Sequence, residues 1–290
     1  MNAVALTAFT AHHSTCGQPQ ALARLAVASL HAELACDPKP GLVTPSSRGS
    51  HDDMDAGTFL RSLFALRHYF TTIACAGAAD APFEQLRQHG IRAEQAMLQA
   101  TGGINTHRGA IFSLGLLTAS AAALHRHGRA VVTAEAVCHA VSQWRAPLLE
   151  APLDPHSPGQ RALRRHGITG VREQAAAGYP LLRTVALPAL RGALQAGHAP
   201  AVARIQCLMA LIAATDDLNL LHRGGAAGLA FAKTQARAFL DAGGVRADDW
   251  HRRLQRMGEQ FQARRLSPGG SADLMACAWF LHQQEAACRW

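Results

Sequence analysis

Long apolar runs, aromatic rings, lysines and paired cysteines are all scarce in this 290-residue chain. No run is long and apolar enough to span a bilayer, so no membrane role is expected. Aromatics make up 6% of the residues and the basic ones are scattered, which argues against a nucleic-acid track. The seven cysteines are odd in number and form no C-x-x-C pair. They fit neither a disulfide framework nor a zinc site, and predict reduced, mostly buried thiols in a cytoplasmic protein. No Gly-Lys-Ser/Thr occurs, so there is no Walker A loop. Residues 1–20 lack a basic n-region and read as a flexible tail, not a signal peptide.

What is present is apolar, small and cationic. Hydrophobic residues make up 49% and charged residues 17%, and Lys+Arg exceeds Asp+Glu by 28 − 20 = 8. That balance suits an anionic small molecule. Apolar residues recur at helical spacing over 21–36, 58–70, 83–100, 110–124, 133–144, 181–194, 201–214, 226–240 and 248–264, with a last helix opening near 271. No alternating strand run appears. The expected fold is all-α: one multi-helix domain over 21–290, with its polar loops gathered on one side. Residues 145–167, rich in proline, read as a connector or a lid.

Five polar stretches interrupt the helices. In Asp37-Pro38-Lys39-Pro40-Gly41, Lys39 is held extended between two prolines and Gly41 permits a turn. Only two lysines occur, Lys39 and Lys233, so this one suggests a specific need. Glu33 falls on the inward stripe of the preceding helix, where a carboxylate is costly unless it meets a cation or a metal. Next, His51-Asp52-Asp53-Met54-Asp55 precedes a helix for which Thr58 is a fair N-cap. Gly102-Gly103-Ile104-Asn105-Thr106-His107-Arg108 opens an apolar helix as an anion site would, with Asn105 or Thr106 as cap. Asp216-Asp217-Leu218-Asn219, followed by Arg223-Gly224-Gly225, ends the apolar stretch 201–214. Ser267-Pro268-Gly269-Gly270-Ser271-Ala272-Asp273 opens the last helix, with Ser271 as its natural N-cap and Asp273 at a favourable dipole position. Each stretch alone could be a capped turn; together they place more acids and cations at helix ends than capping requires.

In this order, over roughly residues 22–281, the five stretches resemble the triphosphoribosyl-dephospho-CoA synthase family. The chain departs from that pattern at Asp52, where many relatives carry a basic residue, and at Leu218, where many carry threonine. The resemblance implies transfer of the 5-triphosphoribosyl group of ATP to the 2′-hydroxyl of 3′-dephospho-CoA, with release of adenine. The product is a prosthetic-group precursor for the acyl carrier subunit of malonate decarboxylase or citrate lyase. The form of residues 218–225 looks more like the malonate decarboxylase branch. A later transferase and an acyl carrier protein of the same pathway would be the downstream partners, and a homo-oligomer is possible.

The implied chemistry is glycosyl transfer through an oxocarbenium-like transition state, for which paired carboxylates are the expected tools. Family products carry an α-linkage where ATP has β, which fits one inverting displacement. Asp53, Asp55, Asp216, Asp217 and Glu33 are the candidates for general base and for Mg²⁺ ligands, Mg²⁺ being the expected cofactor. Lys39, His51, His107 and Arg108, with Arg223, would hold phosphates; Asn105, Asn219 and Ser271 would orient ribose or phosphate. Two other readings stand beside it: a Mg²⁺-dependent helical hydrolase of a nucleotide N-glycosidic or phosphate bond, which uses the same residue types, and a non-catalytic partner of the acyl carrier complex, which has no need of five polar stretches.

Overall fold

The computed structural model describes residues 18–128, 131–150, 168 and 170–287 of the chain. Most of the N-terminal tail, Cys16, Cys288 and the 151–167 part of the expected connector therefore lie outside the described residues. Every regular element among the described residues is helical, as the periodicity predicts.

Helix α1 (Pro19–Leu34) starts on a proline, which its first turn tolerates because that N–H has no intrahelical partner. It buries Leu22, Ala26, Leu30 and Glu33 on one stripe. Helix α2 (Ala56–Ala78) runs eight residues further than the expected end at 70, because the small residues from 74 to 78 continue the helix instead of breaking it. Its cap is Asp55, not Thr58: the two form a reciprocal capping box, with Asp55 Oδ1 accepting from the Thr58 N–H at 3.0 Å. Helices α3 (Phe83–Thr101) and α4 (Arg108–Arg126) follow, and α2 packs against α1, α3 and α4. Helix α4 is buried almost all round, as its unbroken apolar sequence requires.

The second half supplies α5 (Ala134–Val141), α6 (Arg145–Glu150), α7 (Val171–Ala176), α8 (Leu187–Gln195), α9 (Pro200–Ala214), α10 (Leu218–Asp241), α11 (Trp250–Ala263) and α12 (Gly269–Ala287). A π-helical turn, Leu182–Ala186, leads into α8. Helix α12 lies at the centre and packs against α1, α4 and α9. One continuous core runs from Leu22 of α1 to Leu281 of α12. Leu274, Cys277, Ala278 and Leu281 of α12 are buried. Among the described residues all five cysteines are free, and four of them are buried.

Residues 218–225 do not form the loop expected from their polarity. They are the first two turns of α10, interrupted at Gly225 (φ 61°, ψ −167°) before the helix resumes. Asp217 is the reason: its carboxylate accepts from the backbone N–H groups of Asn219 and Leu220, so the helix starts at 218.

Candidate active site

The five polar stretches meet at the ends of α1, α2, α4, α9 and α12. Gly41 (φ 72°) holds the loop after α1 against the segment that precedes α12. A side chain there would put its Cβ 2.1 Å from the Leu266 carbonyl oxygen, so glycine is required. Arg223 ties the same regions: its Nε donates to the Arg265 carbonyl at 2.7 Å and its Nη2 donates to the Ser50 carbonyl. His51 Nε2 lies 2.9 Å from Ser267 Oγ. Beneath them a small apolar cluster of Leu34, Val43 and Met54, with Phe59 and Ile104 against it, joins the first three stretches.

Lys39 does not reach out toward solvent. It is buried, and its Nζ is bonded to the Glu33 carboxylate and to the Glu33 carbonyl oxygen at 2.8 Å. Glu33 thus meets the cation that its inward position demands. The second lysine plays the same part further along: Lys233 Nζ lies 2.6 Å from Asp216 Oδ1. Lys233 was not among the sequence candidates, although the rarity of lysine marked it. Both lysines of the chain neutralise an acid of the polar stretches.

The five candidate acids differ sharply in what they have left to offer. Asp217 is buried, and four donors surround it: the N–H groups of Asn219 and Leu220 on Oδ1, and Ser271 N–H (2.7 Å) and Oγ (2.9 Å) on Oδ2. Burial raises its carboxyl above the usual range and those donors oppose the shift. Ser271 is accordingly not the N-cap of α12, which begins at Gly269; it is the clamp that fastens α12 to the start of α10. Asp55 caps α2, and the hydrogen bonds from Thr58 hold its carboxyl below the usual range. Asp53 is exposed, with His51 Nδ1 at 3.7 Å and the Arg223 charge in its neighbourhood. Asp216 keeps its second oxygen free of partners among the described residues. Among the described residues no three His, Cys, Asp or Glu side chains form a ready metal cluster. The acids that fit a cation arriving with its own ligands are Asp53 and Asp216, which retain uncommitted carboxylate oxygens.

His107 is buried at the start of α4, with Nδ1 2.6 Å from Ser62 Oγ and its ring edge-on to Phe59. Burial, reinforced by Lys39, pushes its pKa down to about 3, so it is a neutral imidazole at pH 7 and not a cationic phosphate clamp. His51 is lowered too, first by burial and then by Arg223. The N-cap of α4 is His107, not Asn105 or Thr106; Asn105 is exposed and its Oδ1 accepts from the Arg108 N–H at 3.1 Å, which satisfies the first amide of the helix. The Arg108 guanidinium is paired with Glu94 of α3. Asn219 is exposed beside Gly269.

One acid absent from the sequence candidates, Asp273, sits in the middle of this arrangement. It accepts a backbone hydrogen bond from Ala110 in the first turn of α4, and its Oδ2 rests against Gly109. A Cβ at position 109 would lie 2.1 Å from that oxygen. The signal in the sequence is its place six residues into the glycine-rich stretch before α12, where a dipole effect accounts for an acid equally well.

Several buried polar atoms in or beside these stretches have no hydrogen-bond partner among the described residues: Ser50 Oγ, His51 Nδ1, Thr106 Oγ1, His107 Nε2 and Thr215 Oγ1. An unsatisfied buried polar atom costs on the order of 1–3 kcal/mol, so their concentration here is what a site built for a polar ligand shows. A cleft of about 480 Å³ flanks the Lys39 loop, between Pro38, Lys39, Thr44 and the α11 residues Leu254, Gln255 and Gly258.

The family model described as ATP:dephospho-CoA triphosphoribosyl transferase matches residues 19–290. A probable 2-(5″-triphosphoribosyl)-3′-dephosphocoenzyme-A synthase of Citrobacter koseri is 38% identical over 273 residues, covering 91% of this chain and 90% of that protein. The 2-(5″-triphosphoribosyl)-3′-dephosphocoenzyme-A synthase of Pectobacterium atrosepticum is 40% identical over 264 residues, 88% of this chain and 86% of its own. The synthase of that name from Klebsiella pneumoniae is 38% identical over 264 residues, 87% of each chain. No solved structure matches.

Proposed function

The chain belongs to the ATP:dephospho-CoA triphosphoribosyl transferase family, and from that membership we propose that it moves the 5-triphosphoribosyl group of ATP onto the 2′-hydroxyl of 3′-dephospho-CoA, releasing adenine. What carries the reading is the span of the match: it covers residues 19–290, and every stretch that meets at the site lies inside it.

The reaction breaks the N-glycosidic bond of ATP and leaves the triphosphate intact. The site must therefore hold the phosphates away from water and stabilise positive charge at C1′ of the ribose. Mg²⁺ fits as a cation that enters with the triphosphate, because Glu33, Asp55 and Asp217 are already bonded and, of the five candidate acids, Asp53 and Asp216 keep free oxygens for it. When bound, it would neutralise phosphate charge. Arg223 and Arg108, with the unpartnered Thr106 and Ser50 hydroxyls, supply donors to phosphate and ribose oxygens. His107 contributes a neutral ring nitrogen, not a charge. Asp53 or Asp216 takes the proton of the 2′-hydroxyl as that oxygen attacks C1′. The cleft beside the Lys39 loop gives room for part of the second substrate.

The finer assignment is to the malonate decarboxylase pathway rather than that of citrate lyase, supported by the Leu218-to-Gly225 form of the α10 start. It is tested by deleting the gene in its own host: malonate decarboxylase activity should be lost and citrate lyase activity, where present, retained. Loss of citrate lyase activity alone would overturn it. The residue roles are tested by Asp53→Ala and Asp216→Ala. Each should remain folded and lose adenine release; near-normal release by both would sink the carboxylate assignment. Adenine release that proceeds without dephospho-CoA would instead make the chain a hydrolase.

A further inference from the structure

We propose that the cleft between the Lys39 loop and α11 binds the pantetheine arm of 3′-dephospho-CoA. The proposal rests on the transferase reading above and adds a subsite to it. The cleft measures about 480 Å³, within the roughly 300–1,000 Å³ of small-molecule sites. One wall is the 37–47 segment, and the other is a single stripe of α11 that includes Leu254, Gln255, Gly258 and Gln262. The loop wall is braced by its own bonds. Ser46 Oγ donates to the Asp37 carboxylate, and the Thr44 N–H donates to the Ser47 carbonyl at 2.8 Å. Gln262 Nε2 reaches Ser47 Oγ across the gap at 3.5 Å. The same segment runs on to Ser50, whose N–H returns to the Gly41 carbonyl at 3.1 Å, next to Pro40 of the wall. Ser50 Oγ is one of the unpartnered atoms of the candidate active site. An acceptor whose nucleotide end sits at that site has this cleft beside it for its other end.

Charge decides which part of the substrates fits. Helix α11 carries Arg252, Arg253 and Arg256, yet among the described residues no arginine lines the cleft. Its one lysine, Lys39, is held by Glu33, while Asp37 and Glu259 add negative charge. A diphosphate or triphosphate would meet repulsion there. The pantetheine arm is neutral, with amides, a hydroxyl, a dimethyl carbon and a terminal thiol. Pro38, Pro40 and Leu254 offer apolar surface to its carbons, and the Gln255 and Gln262 amides can both donate to and accept from its amides. Gln255 makes no hydrogen bond among the described residues.

Gly258 points the same way independently. It lies in the interior of α11, where glycine is disfavoured against almost any residue with a side chain. Its φ is not positive, and a Cβ built on it meets nothing within 4 Å. Neither the backbone nor the packing around it therefore requires glycine. What a side chain there would occupy is the cleft.

The test measures kcat/KM of the full-length chain and of Gly258→Leu for dephospho-CoA and for ADP, which is the acceptor without its arm. Where ADP is not turned over, its inhibition constant against dephospho-CoA takes the place of kcat/KM. The added side chain should lower kcat/KM for dephospho-CoA by at least about tenfold more than it weakens ADP, with the KM for ATP nearly unchanged. A smaller difference between the two acceptors overturns the proposal. So does a loss carried by the KM for ATP, which would assign the cleft to the donor. Circular dichroism checks that the variant folds. Should it not, Gln255→Trp, at an exposed position, fills the cleft under the same criterion. A wild-type chain that releases no adenine with dephospho-CoA present overturns the transferase reading itself. A working transferase whose preference for the arm does not move with Gly258 overturns this subsite alone.

Discussion

Replacing Asp217 by alanine separates two roles that the sequence alone assigns equally to several acids. The carboxylate fastens the start of α10 to the start of α12 through three backbone N–H groups and the Ser271 hydroxyl. Losing a helix cap costs about 0.5–2 kcal/mol, and it serves two helices. Leaving the buried Ser271 hydroxyl without a partner adds about 1–3 kcal/mol. Removing a carboxylate that burial disfavours returns part of this, so a net loss of about 2–4 kcal/mol is expected. Asp53 makes no such ties, and Asp53→Ala should fall within about 0.5 kcal/mol of wild type. Urea unfolding of the three proteins, read by circular dichroism at pH 7, measures both differences. An Asp217→Ala protein as stable as wild type but inactive would refute the clamp and return Asp217 to the metal ligands.

Three further outcomes follow from the same contacts. His107, neutral in the fold at a pKa of about 3, takes up a proton on unfolding below its ordinary value of 6.5. Stability it confers is thus complete above about pH 6.5 and lost as pH falls toward 3, at about 1.4 kcal/mol per pH unit. Between pH 6.5 and 5, urea unfolding should therefore show about 2 kcal/mol more acid sensitivity in wild type than in His107→Gln; equal sensitivity would contradict the neutral assignment. Lys39→Met strands the buried Glu33 and should destabilise by about 3–5 kcal/mol, whereas Lys39→Met with Glu33→Gln should recover much of the loss. Gly41→Ala, with its Cβ driven into the Leu266 carbonyl, should be poorly folded or strongly destabilised by thermal denaturation.

The helices were legible because their apolar stripes are local and strong; α1, α3, α9 and α11 fall within two residues of the periods read from the sequence. The caps were less so. Thr58 and Ser271 carry side chains typical of caps, yet Asp55 and the Asp217 carboxylate hold those positions, because an acid from outside the helix outcompetes a hydroxyl within its first turn. The start of α10 was hidden by its polarity. Its hydrogen bonds to Asp217 are local, but nothing in the spacing distinguishes a capped helix from a polar turn. The inward Glu33 and its need for Lys39 could be read, since both lie within six residues. The Asp217–Ser271 clamp spans 54 residues and the Asp216–Lys233 pair 17, so only the fold reveals that these acids are already occupied. Asp273 was visible as a residue, but its place against Gly109 of α4 is a long-range contact that only the fold reveals.

The most direct test of the transferase reading is one incubation of the chain with ATP, Mg²⁺ and 3′-dephospho-CoA, analysed by mass spectrometry beside a control without dephospho-CoA. The account predicts free adenine and a dephospho-CoA adduct that retains all three phosphates of ATP, in equal amounts and only in the complete mixture. Adenine in both tubes, or ATP intact in both, would contradict it.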